Sequence, residues 1–518
     1  MLRKIVVKTL FPCLVSAILL ILSFPNFSIW LFAWFAFVPV FFALKNKTLK
    51  ESFLLFFITG LIFWAGTIYW LAHVTLPGTA ILILYLSLYF AVFGLIIRPF
   101  TRQSTPFTLL FIPAVWVLLE YIRGFLFTGF PWALLGYSQY LNLPAIQIAS
   151  ITGAWGVSFL VMFVNVSIVE IIWSWKNKKW PKLKPAIISL SLLLFLTLGY
   201  GIYSLRIVRV TGHKTQDTRC AMLKISVIQG NIPQELKWDQ EYAKFIAGRY
   251  AALTKQAAID KPDLIIWPEA SIPGILGEND FIYQDISSLV ESIKIPLLSG
   301  AVVYDQGKYF GSALLFSASG EIIGRYDKLH LVPFGEYIPL RNALPFLQTI
   351  VPIGEISRGK EYTIFDGVKV SGCQSVIRFA VLDCFEDVFP ALSREFVKRG
   401  AGFLVNITND AWYKKTSAPY QHLQASVFRA LENRVYLARA ANTGISGFIS
   451  PTGKIISLVQ DAAGKETFIT GFDTKEIPLQ DNPGSFYTKF GDFFIPACIL
   501  IIFYGIIFKI RKKKNSKR

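Results

Sequence analysis

The chain has 518 residues, 53% of them hydrophobic, with a mean hydropathy of +0.49, which is too apolar for an ordinary soluble protein. Its formal charge of +19 suggests nucleic acid at first, but residues 207–485 carry 29 basic and 29 acidic side chains, so the whole excess lies in the apolar remainder. Basic residues in short loops between apolar runs are a topology signal, and no nucleic-acid partner is expected. The five cysteines (Cys13, Cys220, Cys373, Cys384, Cys498) show no CxxC pair and no metal-ligand spacing, so neither metal nor cofactor is expected. Cys220 and Cys373 are free to pair in an oxidising compartment, and the odd count leaves at least one thiol.

Met1 to Lys8 carries Arg3, Lys4 and Lys8 ahead of an apolar run to about Phe24. No small-residue cleavage site follows, so the segment reads as an uncleaved anchor. Further apolar runs lie near 29–44, 52–72, 79–97, 106–122, 152–174, 186–205 and 490–508, giving eight spans. Each is near the ~20 residues that cross a bilayer. The first two runs, joined by Pro25 and Asn26, admit one re-entrant hairpin instead. With the N-terminus cytoplasmic, 20 basic residues fall inside and three (Arg123, Arg206, Lys489) fall outside near the spans. The positive-inside rule then puts the neutral block on the far side of the membrane, the periplasm of a two-membrane bacterium. The expected organisation is a membrane domain over 1–206 with seven spans, an α/β domain over 220–480, and a last span with a basic cytoplasmic tail over 488–518.

The loop from Glu120 to Leu143 is aromatic and glycine-rich, with one acid and one base, Glu120 and Arg123. An interfacial aromatic belt accounts for it, and so does a lipid-binding floor.

From residue 220 the pattern alternates. Strands are expected at 222–230, 263–269, 296–303, 378–383, 402–408, 444–450, 454–459 and 466–472, with a hairpin of 312–318 and 321–328 around Gly320. Helices are expected at 240–258, 283–293, 388–399 and 419–440. This is an α/β block with helices covering sheet faces. The apolar, proline-broken segment 342–352, which holds Phe346 and Leu347, is a core helix or a mobile arm facing the membrane.

Cys384 follows a strand ending at Asp383, and Glu386 and Asp387 then open an expected helix. A thiol at a helix N-terminus is favoured as thiolate, whereas an isolated buried cysteine is a small hydrophobe. A nucleophilic thiol needs a base and an oxyanion donor. None of the four histidines has a papain-like setting. Glu269 ends the apolar strand of IIWPEAS, where open α/β folds place their sites and burial suits a carboxylate base. Lys328 ends another, in RYDKLHLVPFGEY, and its ammonium suits a thiolate or oxyanion. Glu336 lies eight residues on, placed to orient Lys328 or the base.

WPEA with Glu269, YDKLHLVPFGEY with Lys328 and Glu336, and LDCFED with Cys384 resemble the Glu-Lys-Cys triad of the carbon–nitrogen hydrolase (nitrilase) superfamily. Together with the membrane architecture, FTGFPW at 127–132, QGNIPQELKWD at 229–239 and TNDAW at 408–412, they resemble its integral-membrane branch, the apolipoprotein N-acyltransferase family. The resemblance implies an eight-helix membrane bundle plus an αββα nitrilase-like sandwich. It implies Glu269 as general base, Cys384 as nucleophile on a phospholipid sn-1 ester, typically of phosphatidylethanolamine, and Lys328 with the Phe385 backbone N–H as oxyanion donors. The thioester acyl-enzyme would then acylate the α-amine of a diacylglyceryl-cysteine at a lipoprotein N-terminus. Trp238, Glu336 and Glu386 match further functional positions. Phe385 stands where tyrosine is expected, so the ring is kept and the hydroxyl lost. The implied setting is the bacterial inner membrane, with a monomer whose site mouth meets the bilayer. There the 342–352 arm and the Trp412–Tyr413 loop exclude water. Two other readings need less: a membrane-tethered amidase would use the triad alone, and a scaffold or transporter would use none of it.

Overall fold

The protein is described by a computed structural model covering residues 2–101, 107–211, 222–237, 239–278, 280–338, 355–369, 376–478 and 484–515. It divides into two compact units.

One unit comprises Met1–Arg206, Thr416–Gln424 and Phe490–Arg518. Among the described residues it has five helices long and apolar enough to cross a membrane: Leu49–Thr67, Leu76–Thr101, Ala154–Lys176, Trp180–Ile207 and Phe494–Arg511. The first starts on a capping box, with Thr48 Oγ1 accepting from Glu51 N at 3.2 Å and Glu51 Oε2 accepting from Thr48 N at 2.7 Å. Gly60 lies against the Phe90 ring and Gly94 against the Phe56 ring, so small residues let helices 49–67 and 76–101 approach closely. The expected span at 29–44 is not one helix. It is a 3-10 turn at Trp30–Trp34 followed by a six-residue helix Val38–Ala43, which Pro39 opens in its first turn. The helix Thr108–Arg123 has sixteen residues. Among the described residues five helices thus meet both the length and the apolarity of a span; the 22-residue helix Leu2–Ser23, the helix Thr108–Arg123 and shorter apolar segments accompany them.

The other unit comprises Ile207–Lys415 and Ala425–Lys489. Its strands are β1 (Met222–Gln229), β2 (Leu264–Ile266), β3 (Ile275–Leu276), β4 (Leu297–Asp305), β5 (Lys308–Phe316), β6 (Ile322–Asp327), β7 (Phe365–Lys369), β8 (Val376–Asp383), β9 (Phe403–Thr408), β10 (Tyr436–Ala441), β11 (Gly447–Ile449), β12 (Ile455–Leu458) and β13 (Gly471–Pro478). They form two sheets, ordered β13-β1-β2-β4-β5-β6 with β3 on β4, and β12-β11-β10-β9-β8-β7. β1, β2 and β4 run parallel, as do β8, β9 and β10. These central strands are almost entirely buried, which is why they read as continuous apolar runs. The sheets face each other through β1 with β10 and β5 with β8. Helices Ala243–Ala257 and Asp280–Ile293 lay Ile246, Tyr250, Ile286 and Val290 on Ile265, Trp267, Leu297 and Leu314 of the first sheet. Helix Pro390–Lys398 packs on β8 and β9 of the second. The result is the expected αββα arrangement.

Most expected elements are present, including the β5–β6 hairpin around Gly320. The expected helix 419–440 stops at Asn433. Arg434 takes φ +54, and Tyr436–Ala441 pairs with β9 from Tyr436↔Phe403 to Ala441↔Thr408. YLARAA suits a helix by propensity, but burial in a parallel sheet overrides it. The expected strand 466–472 lies later, at β13, set by antiparallel pairing with β1.

Candidate active site

Three parallel or hairpin strands end at one place. β2 runs into Trp267, Pro268 and Glu269; β6 runs into Lys328; β8 runs into Cys384. The turn carrying Glu269 stays stitched to β4, with Trp267 N donating to Leu298 O at 2.8 Å and Gly300 N to Pro268 O at 3.1 Å. Gly300 is where this needs no side chain: a Cβ there would sit 2.6 Å from both Glu269 Cα and Ala270 N. Gly300→Ala is expected to cost about 1–3 kcal/mol by overpacking and to displace Glu269. Thermal unfolding together with transfer activity at a permissive temperature checks both parts.

Lys328 is 1% exposed, and its Nζ donates to Glu336 Oε1 at 2.6 Å and Glu269 Oε1 at 3.4 Å. Glu336 Oε2 in turn accepts from Val332 N at 2.7 Å, which fixes that carboxylate. Burial pushes the Lys328 ammonium down, but the Glu336, Asp383 and Glu269 carboxylates more than reverse this and hold it well above the usual lysine range. Lys328 is a fixed cation.

Cys384 sits at φ +54, a left-handed conformation that non-glycine residues adopt rarely and at a cost. Its Sγ accepts from Thr408 Oγ1 at 3.3 Å, and its carbonyl accepts from Asn406 Nδ2 at 3.2 Å. Cys384 opens a five-residue 3-10 turn, Cys384–Val388, and the expected α-helix begins only at Pro390. The expectation of a dipole-lowered thiol is corrected accordingly. Burial and the Glu269 charge push the Cys384 thiol well up, opposed by Lys328. The resting group is therefore held as a thiol.

Glu386 holds two of these strand ends together. It accepts from Tyr326 Oη at 2.8 Å, Leu329 N at 2.7 Å, His330 N at 2.9 Å and Asp383 N at 2.8 Å. The donors flank Lys328 on one side and Cys384 on the other. Asp383 is also buried, and burial pushes its carboxyl well up while Lys328 opposes. Behind the site Arg439 reaches Asp387 at 3.1 Å, Asp410 at 3.3 Å and Asn406 Oδ1 at 2.5 Å, tying the ends of β8, β9 and β10.

The structure thus brings Glu269, Lys328, Glu336, Cys384 and Glu386 together. The Phe385 ring lies edge-on to Phe389 at 5.1 Å. Tyr413 is close enough for a thiolate to act on it: burial first, then the Cys384 charge, pushes its hydroxyl well up. Trp412 is half exposed. Glu120 and Arg123 belong to the other unit and are buried there. Glu120 Oε1 accepts from Leu135 N at 2.7 Å, and Arg123 donates to Phe130 O and Trp132 O at 2.8 Å each. Trp238, Phe346, Leu347, Cys220 and Cys373 lie outside the described residues. Sequence reasoning passed over Lys237, one residue before Trp238. It is buried, and its Nζ donates to the Glu269 carbonyl at 2.8 Å. Its one signal was a lysine in the same QELKWD run that carried Trp238.

Two family models cover most of the chain: the apolipoprotein N-acyltransferase N-terminal domain over residues 16–167 and the carbon–nitrogen hydrolase domain over 224–478. A relative from Geobacter metallireducens, an apolipoprotein N-acyltransferase, is 39% identical over 502 residues, covering 93% of this chain and 92% of its own. Relatives of the same name from Pasteurella multocida and Rickettsia prowazekii are 32% and 31% identical, covering 87% and 78% of this chain and 86% and 76% of theirs. The chain therefore belongs to the apolipoprotein N-acyltransferase family, with a carbon–nitrogen hydrolase domain as its α/β unit.

Proposed function

We propose that the chain transfers a fatty acyl chain from the sn-1 position of a phospholipid, phosphatidylethanolamine by preference, to the α-amine of an N-terminal diacylglyceryl-cysteine. The observation that carries this reading is the convergence of Glu269, Lys328 and Cys384, with Lys328 Nζ 3.4 Å from Glu269 and the thiol in the field of both.

The steps follow from the charges. Glu269 takes the Sγ proton as Sγ attacks the ester carbonyl. Lys328 and the Phe385 N–H stabilise the oxyanion. Collapse breaks the C–O bond, the protonated Glu269 returns its proton to the leaving glycerol oxygen, and a Cys384 thioester and a lysophospholipid result. The acceptor amine then attacks the thioester, loses a proton to Glu269, and the C–S bond breaks to restore the thiol. Trp238, Glu336 and Glu386 act in support, the last two by fixing Lys328. Water must stay out until the amine arrives, which is the task assigned to the Trp412–Tyr413 loop and to the segment with Phe346 and Leu347. Glu120 and Arg123 are assigned to the lipid-handling part of the membrane unit.

The five long helices, the helix Leu2–Ser23 and the shorter segments near 30–43 and 108–123 together make eight crossings in this reading. Domain limits follow at 1–206, 220–480 and 488–518. The 20-to-3 asymmetry of basic residues supports an inner-membrane monomer with both termini cytoplasmic and the α/β unit periplasmic.

The test uses phosphatidylethanolamine radiolabelled in its sn-1 chain. Purified protein is expected to take up a hydroxylamine-sensitive label on Cys384 and pass it to a diacylglyceryl peptide. Label released only as free fatty acid would make the protein a hydrolase and defeat the reading.

A further inference from the structure

Lys328 is one cation facing two carboxylates, Glu336 at 2.6 Å and Glu269 at 3.4 Å. The buried Asp383 adds a third carboxyl whose charge acts on Lys328, so acidic groups outnumber this cation at a place largely shielded from water, which is costly. The charge of the base does not vanish during the reaction: it sits on Glu269 before proton transfer and on Cys384 Sγ after it. Among the described residues another cation is buried at this place. Lys237 is 4% exposed and reaches the same turn, donating to the Glu269 main-chain carbonyl at 2.8 Å. A buried ammonium is rare unless its charge is used.

We infer that Lys237 is a positioning residue, the second buried cation of the site: it holds the Glu269 turn through its carbonyl and balances the negative charge that passes from Glu269 to Cys384. This rests on the assignment of Glu269 as base and Cys384 as nucleophile. Its ammonium responds to the Glu269, Cys384 and Asp383 charges in that order, after burial has pushed it down to about 8. The direction of the pH dependence is set by that value. Below pH 8 Lys237 is charged and favours the thiolate; above it the charge fades and that support is lost. The other groups facing the thiol are Glu269 and Lys328 from the ends of β2 and β6, Asp383 from β8, and Asp410 and Tyr413 beyond β9. Glu336 takes the shorter bond from Lys328, Glu386 is held by its four donors, and Asp410 pairs with Arg439, so Lys237 adds a second cation to Lys328 in acting on Glu269 and Cys384.

The experiment reads Cys384 alkylation by iodoacetamide against pH in the full-length detergent-solubilised protein, with the Cys384 peptide quantified by mass spectrometry. Lys237→Met removes charge and hydrogen bond; Lys237→Gln removes the charge and keeps a donor for the Glu269 carbonyl; Lys237→Arg keeps the charge. The rate is compared at pH 7, where Lys237 is charged, and at pH 10, where it is not. Met and Gln are expected to slow alkylation at pH 7 by about tenfold or more, the effect of losing a neighbouring opposite charge, and to match the unsubstituted protein at pH 10. Arg is expected to keep the pH 7 rate. An unchanged pH 7 rate in Gln overturns the inference, as does equal slowing in all three, which would mark a packing role. If Met fails to fold, Gln and Arg still decide. Alkylation needs no lipid, so failure of acyl transfer would leave this result standing, and an unchanged rate would leave acyl transfer standing.

Discussion

Cys384→Ala is expected to abolish both the covalent acyl label and the N-acylated product, with transfer reduced on the order of 10³-fold or more. The reason lies in the site's layout. In the proposed mechanism Glu269, Lys328 and Glu336 remain without the thiol, but no thioester can form, and the acceptor amine would be left to attack a phospholipid directly. The fold should persist, because the substitution deletes a single Sγ atom, which accepts from the Thr408 hydroxyl at 3.3 Å, and leaves the backbone at φ +54 with a residue that has no larger side chain to place. Cys384→Ser should be nearly as inactive. Burial and the Glu269 charge already push the thiol well up, and a hydroxyl is far harder to ionise in the same place. Label on the protein after incubation with sn-1-labelled phospholipid, and product on a diacylglyceryl peptide, are the two readouts. Either alanine or serine variant retaining full transfer would refute the nucleophile.

Glu386→Ala should be the most damaging change outside the triad. Its carboxylate accepts from the Tyr326 hydroxyl and from three backbone N–H groups, those of Leu329, His330 and Asp383. It is fully buried, so its removal strands several donors at about 1–3 kcal/mol apiece, less whatever entering water recovers. A net loss of roughly 3–5 kcal/mol is expected, the range for breaking a buried charged network. Activity should fall further than folding does. The anchored N–H groups belong to the residues beside Lys328 and Cys384, so freeing them lets the oxyanion donor and the nucleophile drift apart. Glu386→Gln separates the two effects. It keeps one acceptor oxygen but turns an NH₂ toward donors, so it should fold better than alanine and still transfer poorly. Thermal unfolding and transfer measured well below each variant's midpoint distinguish a scaffold loss from a site loss. A Glu386→Ala protein with native stability would show that the four bonds contribute little.

Which features were legible in the chain depends on the range of the interactions behind them. Strands β1, β4, β8 and β9 are continuous apolar runs bounded by turn residues, and such runs report local burial directly. Glu269, Lys328 and Cys384 each close an apolar run, so their placement at strand ends was readable before any pairing was known. The neutral α/β block and the basic remainder were readable for the same reason, as plain composition.

Features made by distant partners were not. The YLARAA segment has helical propensity and becomes β10 because β9 lies alongside it. The run at 29–44 is apolar enough for a span and breaks between Trp34 and Val38 into a 3-10 turn and a short helix with Pro39 in its first turn. Glu386 bonds residues 56 to 60 positions away in Tyr326, Leu329 and His330 only because the fold brings the ends of β6 and β8 together, and Arg439 meets Asp387 across 52. Even the sign of the thiol shift was decided this way. From Cys384's local setting a helix dipole lowers it; in the fold, burial and Glu269 raise it. By itself the sequence determined the residue types, the strand ends that carry them and the division into apolar and neutral parts, because these depend on neighbours along the chain. The tertiary structure alone decided which charges share a low-dielectric pocket, Lys237 among them, because electrostatic coupling there depends on distance in space and on the exclusion of water.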